Sequence, residues 1–163
     1  MKNFLPLVCL LALAGPASAR TLFLAGDSTL APARRGSIKR GSWGDALVAH
    51  LRPGNRISNH AAGGRSTKSF RDEGRWSKLL SEVRTGDFVL ICFGHNDQGS
   101  DNPKIAVPVT EYRENLRRMV HEVRELGGIP LLATSIVRLT YAEDRKTLTD
   151  KPRLSDWAEA MRG

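Results

Sequence analysis

Three short polar stretches hold the residue types that acyl transfer needs. Ser28, in "LFLAGDSTLA" (residues 22–31), offers a hydroxyl; "NHAAGGRSTKS" (59–69) offers the paired glycines Gly63 and Gly64; "GHNDQGSDNP" (94–103) offers the Asn96 amide. A serine oxygen that attacks an ester carbonyl generates an oxyanion, which preorganised donors must stabilise. The backbone N–H groups of Ser28 and Gly64 and the Asn96 side-chain amide supply three such donors, with Gly63 the competing choice for the glycine. Each residue also has an ordinary use: a serine after a strand caps a helix, "GGRS" makes a turn, and an asparagine after a strand bonds its own loop. The chemical reading rests on their order and spacing together.

The elements that would position these loops alternate along one continuous pattern. Thr21 to Ala25 reads as a first strand that stops at Gly26, and Ser42 can cap a helix in which Trp43, Leu47 and Leu51 recur every four residues until Pro53-Gly54. A short second strand around Arg56 to Ser58 leads into the glycine-containing loop. After a helix near Trp76 to Val83, the apolar run Asp87 to Phe93 is expected as a strand covered on both faces, ending in the third polar loop. From Thr110 the helical stripe Tyr112, Leu116, Met119, Val120, Val123 and Leu126 is expected to be core, with Gly127 and Gly128 ending it. Ile129 to Ser135 reads as a fourth strand, and a last helix starts at Leu154. Strands alternating with helices imply parallel pairing through right-handed crossovers, which gathers all three polar loops at one sheet edge.

Bulk properties narrow the setting. Lys2, the apolar run Phe4 to Ala14 and Ala17-Ser18-Ala19 fit a secretory leader over residues 1–19, too short to span a bilayer, so a secreted or periplasmic location is expected with Arg20 as the first mature residue. Residues 20–163 suffice for one domain. Cys9 falls in the leader and leaves only Cys92, so no internal disulfide can form; no Cys/His cluster has metal-ligand spacing, and no cofactor or metal is expected. The net charge of +8, from 25 basic and 17 acidic side chains, fits either an acidic polysaccharide or a solvated basic surface. Export disfavours nucleic acid as a partner. Arg34, Arg35, Lys39 and Arg40 form one basic run, and Arg65, Lys68, Arg71 and Arg75 another.

At these residues the chain resembles a known family. "GDST" after the first strand, "AAGGRST" in the second loop and "GHND" in the third are similar to the first three blocks of the SGNH, or GDSL-type, hydrolases, and "NHAAGGRSTKSF", "GRW", "GHNDQGS" and "ENLRRMVHEVRELGGIPLLATSIVR" are most similar to rhamnogalacturonan acetylesterase-like enzymes. The resemblance covers nearly all of the chain after the leader. It implies a flavodoxin-like three-layer α/β/α fold with a parallel sheet, Ser28 as nucleophile, Gly64 and Asn96 as oxyanion-hole contributors, and acetyl esters of pectic or related polysaccharide, or small esters, as substrates. Asp27 is expected to shape its turn, not to act as a triad acid.

The family completes its site with Asp-x-x-His, in which His is the general base. This chain departs from that pattern: none of His50, His60, His95 and His121 has an acid three residues before it. His95, beside Asn96, is the one tempting substitute, though such a histidine more often supports its loop. The expectation is therefore a partial domain, lacking the last strand and the His loop, and inactive as the given fragment. Other SGNH activities (esterase, lipase or thioesterase) and a non-catalytic basic glycan-binding domain are the alternative readings.

Overall fold

A computed structural model of the chain describes residues 19–32, 42–99, 102–136, 147 and 155–162. The expected leader, the basic run at residues 34–40 and the start of the last helix at Leu154 lie outside the described residues.

Four parallel strands form the sheet: β1 (Thr21–Gly26), β2 (Arg56–Asn59), β3 (Phe88–Cys92) and β4 (Ile129–Leu132), in the order β2-β1-β3-β4. Alternation of side chains across β1 and β3 feeds two separate cores. Phe23, Ala25, Val89 and Ile91 point into the larger one with Phe70, Trp76, Leu79, Tyr112, Leu116, Met119 and Val123. Leu24 and Cys92 point into the smaller one with Leu30 and Ala61, flanked by Leu22, Leu90, Trp43 and Leu47. The apolar run of β3 is thus covered on both faces, as a central parallel strand requires.

Among the described residues, six α-helices accompany the strands: α1 (Trp43–Ala46), α2 (Thr67–Asp72), α3 (Arg75–Leu80), α4 (His95–Gly99), α5 (Val109–Glu125) and α6 (Ser155–Arg162). The β1-to-β2 connection carries α1 on the face of the smaller core. The other crossovers run in the opposite direction across the sheet, so right-handedness places α2, α3 and α5 on the other face. The result is the expected α/β/α layering. Chain leaves β1 toward one side and β3 toward the other, which opens a crevice between their carboxyl ends.

The structure corrects several boundaries. Ser42 does cap α1, accepting from the Asp45 N–H at 3.2 Å, but the helix tightens to a 3₁₀ turn over Leu47–His50, and Leu51 lies beyond it in extended backbone. Residues 67–72 and 95–99, both expected as loop, are the short helices α2 and α4. The α5 stripe is buried at Tyr112, Leu116, Met119 and Val123, yet Leu126, at the C-cap, is 41% exposed. The fourth strand stops at Leu132, and its edge leaves Leu131 and Leu132 each 40% exposed. Glu122 ties three helices together: it receives both Arg71 guanidinium N–H groups at 2.6 and 2.8 Å and the Trp76 indole N–H at 2.6 Å. Those bonds hold its carboxyl below the usual carboxylate range against the opposing effect of burial.

Leu116 and Leu126 give a direct check of this packing. Leu116→Ala should lower stability by about 2–5 kcal/mol, whereas Leu126→Ala should stay within about 0.5 kcal/mol, both read by urea denaturation.

Candidate active site

The first polar loop is built by Asp27. Its carbonyl accepts the N–H groups of Leu30 and Ala31 at 3.2 and 3.0 Å, and its carboxylate Oδ1 accepts the Thr29 N–H and hydroxyl, both at 2.9 Å. The residue is 1% exposed, and its Oδ1 is used in its own turn, as its expected role requires. This tight turn forces close approach. A β-carbon on Gly26 would lie 2.7 Å from the Cys92 carbonyl oxygen and 2.8 Å from Leu30 Cδ2, so only glycine fits. Ser28 sits one residue past Asp27 with its side chain exposed.

The second loop is laid against the first by backbone bonds that continue the β1–β2 pairing: His60 N–H to Leu24 carbonyl and Ala62 N–H to Gly26 carbonyl, each 2.9 Å. Asn59 reinforces this by donating to the Leu30 carbonyl at 2.9 Å. The ladder delivers Gly63 to the nucleophile loop, where a β-carbon would stand 3.6 Å from Ser28 Cβ. Gly64 follows with φ +79° and open space where a β-carbon would be, a left-handed residue that turns the chain into α2. Ser66 caps that helix in a reciprocal capping box with Ser69.

The third loop is clasped onto the second. Asn96 Nδ2 donates to the Arg65 carbonyl at 2.9 Å, so its amide bonds the neighbouring loop and not its own. Asp97 Oδ1 accepts the Thr67 N–H at 3.0 Å and the Thr67 hydroxyl. The other carboxylate oxygen is buried with no hydrogen-bond partner. Burial pushes the Asp97 carboxyl up from 3.8 to about 6, against the Thr67 bonds that favour the charged form and with a smaller contribution from the Asp27 charge. The three sequence candidates Ser28, Gly64 and Asn96 therefore converge at the carboxyl ends of β1, β2 and β3.

No general base joins them among the described residues. His95 Nε2 lies 2.6 Å from the Ile136 carbonyl, so this nitrogen carries the proton and supports the segment after β4. His60 Nε2 contacts Ser58 Oγ at 2.9 Å and Glu82 at 3.6 Å, and burial lowers its pKa despite the Glu82 charge. His50 is exposed at the end of the 3₁₀ turn, and His121 is exposed on α5 near Glu125. Cys92 is no alternative nucleophile, because burial pushes its thiol up to about 12. The second basic run is paired locally: Arg65 and Arg75 share Glu73, Lys68 pairs with Asp72, and Arg71 with Glu122. Sequence reading missed these partners, and it missed Asp97 and Thr67 as the clasp between loops. A cavity of about 620 Å³ lies at the opposite, amino-terminal end of the sheet, lined by Arg20, Thr21, Arg56 and Asp87 among others, away from Ser28. Among the described residues, no group of three or more His, Cys, Asp or Glu could hold a metal ion.

Fold and loop geometry together define a serine-hydrolase-like α/β scaffold, and the chain belongs to the GDSL-like Lipase/Acylhydrolase family, which it matches over residues 24–163. It is 36% identical over 145 residues to the "Probable rhamnogalacturonan acetylesterase YesY" of Bacillus subtilis, a match covering 88% of this chain and 64% of that protein. It is 33% identical over 141 residues to the "Rhamnogalacturonan acetylesterase RhgT" of the same organism, covering 86% of this chain and 58% of that protein. The chain thus spans less than two thirds of the length of either relative. Among solved structures, it is similar to the YXIM protein of Bacillus subtilis with a TM-score of 0.70 and 25% identity, over 90% of this chain and 42% of that one. A lipase/acylhydrolase from Enterococcus faecalis shares the fold with a TM-score of 0.59 at 20% identity, over 88% of this chain and 69% of that one.

The Asp97 carboxyl gives a pH test with a definite sign. Its folded pKa exceeds the unfolded one, so the native state holds the extra proton and loses stability as pH rises from about 4 through about 6. Asparagine cannot titrate there. The stability difference between Asp97→Asn and wild type should shift in favour of the variant by on the order of 2 kcal/mol between pH 4 and pH 7.5, read by thermal denaturation. A difference independent of pH would contradict it.

Proposed function

We propose that this chain carries the nucleophile and oxyanion hole of an ester hydrolase, acting on acetyl esters of pectic or related polysaccharide. The observation that carries this reading is the placement of an exposed Ser28 beside the Gly63-Gly64 turn, with the Asn96 loop bonded to the same turn. Ser28 Oγ attacks the acetyl carbonyl and its proton passes to a base. The oxyanion is held by the Gly64 N–H and the second N–H of the Asn96 amide, whose first is bonded to Arg65. The carbohydrate hydroxyl then leaves, and water attacks the acetyl-serine to release acetate. The substrate class is supported by the relatives named as rhamnogalacturonan acetylesterases.

The four histidines of the chain are not the base in this proposal, and Ser28 in the chain by itself keeps an ordinary hydroxyl. Residual catalysis from the oxyanion hole and binding is then all that the given residues support, as in hydrolases stripped of their triad. Secretion belongs to the same proposal and rests on the residue pattern of positions 1–19.

A fluorophosphonate probe on the natively produced protein tests the reading. Labelling should map to Ser28 and vanish in Ser28→Ala, with loss of acetate release from acetylated pectin fragments. A folded protein that takes no label, or that labels equally in the variant, would overturn it. Preference for long-chain over acetyl p-nitrophenyl esters would overturn the substrate assignment alone.

A further inference from the structure

The most buried polar cluster at the sheet's carboxyl edge is not one that the reaction itself consumes. Asp97, Thr67 and Asn115 are 1%, 0% and 8% exposed and form a chain of hydrogen bonds across three elements. Asn115 of α5 donates to Thr67 Oγ1 at 3.2 Å, and Thr67 donates both its hydroxyl and its backbone N–H to Asp97 Oδ1. Asp97 in turn fixes the far end of its own loop, its carbonyl accepting the Val107 N–H at 3.0 Å.

Two consecutive residues of the third loop, Asn96 and Asp97, therefore both land on the three-residue stretch that follows Gly64: Asn96 on the Arg65 carbonyl, Asp97 on Thr67. Gly64 has no side chain with which to fix its own position, and its left-handed backbone leaves open space around it. Bonds from Ala62 to Gly26 and from Arg65 to Gly63 hold the near side of its turn, and the Asn96 and Asp97 bonds just beyond it hold the side that faces the third loop. Donors in an oxyanion hole act through preorganisation, and a displacement of about 1 Å is enough to lose on the order of a hundredfold in rate.

We propose that Asp97 is a positioning residue: by accepting two hydrogen bonds from Thr67, it holds the Gly64 turn at a fixed spacing from Asn96. This inference rests on the reading of Gly64 and Asn96 as oxyanion donors. Asp97 touches no substrate in it. Its acceptor oxygen is the working part, so an uncharged acceptor of the same shape should serve, and removal of the Thr67 hydroxyl should reproduce part of the loss of Asp97.

The test compares Asp97→Ala and Thr67→Val with the conservative Asp97→Asn and Thr67→Ser in the natively produced protein. Two readouts are taken: steady-state hydrolysis of p-nitrophenyl acetate, and hydrogen–deuterium exchange over residues 63–67. The disruptive variants should lose about ten- to a hundredfold in kcat with KM within about twofold, and should exchange faster at residues 63–67 while β1 and β3 stay protected. The conservative pair should restore kcat to within about threefold and restore protection. If Asp97→Ala fails to fold, Thr67→Val carries the comparison. An Asp97→Asn variant as impaired as Asp97→Ala, a loss confined to KM, or a rise in exchange spread over the whole sheet would each overturn the proposal. Ser28→Ala run alongside separates the two claims. If hydrolysis stays near the wild-type rate in that variant, the serine-esterase reading fails, and exchange at residues 63–67 alone decides whether Asp97 holds the turn.

Discussion

Parallel pairing of β1 with β3 at the centre of the sheet is the constraint on which everything else depends. Leu24, Ala25, Val89 and Ile91 are fully buried, and a strand buried on both faces can be reached only by crossovers that leave helices above and below it. Because the crossover from β1 runs toward β2 and that from β3 runs toward β4, the loops after β1 and β3 diverge and leave a crevice between them. Ser28 and Asn96 lie at that crevice because they fall in the loops that follow the two strands. Their proximity is a consequence of topology and would hold whatever chemistry the loops carried.

Topology brings the loops together; side chains fix their spacing. Asp27, Asn59 and Asp97, each at or just after a strand end, bond backbone groups or hydroxyls of the edge loops. Buried polar groups of this kind rigidify a site only when their donors and acceptors are matched. Asn59 uses both ends of its amide, whereas Asp97 retains one buried oxygen without a partner. The raised Asp97 carboxyl is the electrostatic expression of that mismatch. Hydrogen bonds from Thr67 reduce it without removing it.

The strands, the parallel pairing and the convergence of Ser28, Gly64 and Asn96 were legible in the residues, because apolar runs bounded by glycine and polar turns have one economical arrangement. The long helix α5 was equally legible from its 3.6-residue stripe. Helices α2 and α4 were not, since six and five residues carry too little periodicity to register. They are stabilised by contacts remote in sequence: the Ser66–Ser69 capping box is local, but Thr67 is anchored by Asp97, thirty positions on. Leu126 follows the stripe yet faces solvent because it stands at the C-cap, where the chain turns toward Gly127 and β4. The basic run at Arg65 to Arg75 was visible as charge, but its partners were not. Glu122 lies 51 positions from Arg71, and only the packing of α5 on α2 brings them to 2.6 Å.

The fate of the histidines shows why residue type at the right edge does not establish a catalytic role. His95 adjoins Asn96 and would be the natural substitute for an absent base on position alone. Its Nε2 donates to the Ile136 carbonyl, which ties the ring to the segment after β4 and leaves Nδ1 as its acceptor, with no hydrogen bond to Ser28 among the described residues. His60 has a serine and a glutamate within reach, but both meet the same nitrogen, Nε2. A triad needs the acid on one ring nitrogen and the nucleophile on the other, so that the acid orients the ring and stabilises the imidazolium. The Ser58–His60–Glu82 cluster therefore has the composition of a catalytic triad without its geometry. Ser28 presents the converse arrangement: an exposed residue on a turn fixed by Asp27, next to Gly63, with no histidine nitrogen in contact with it among the described residues.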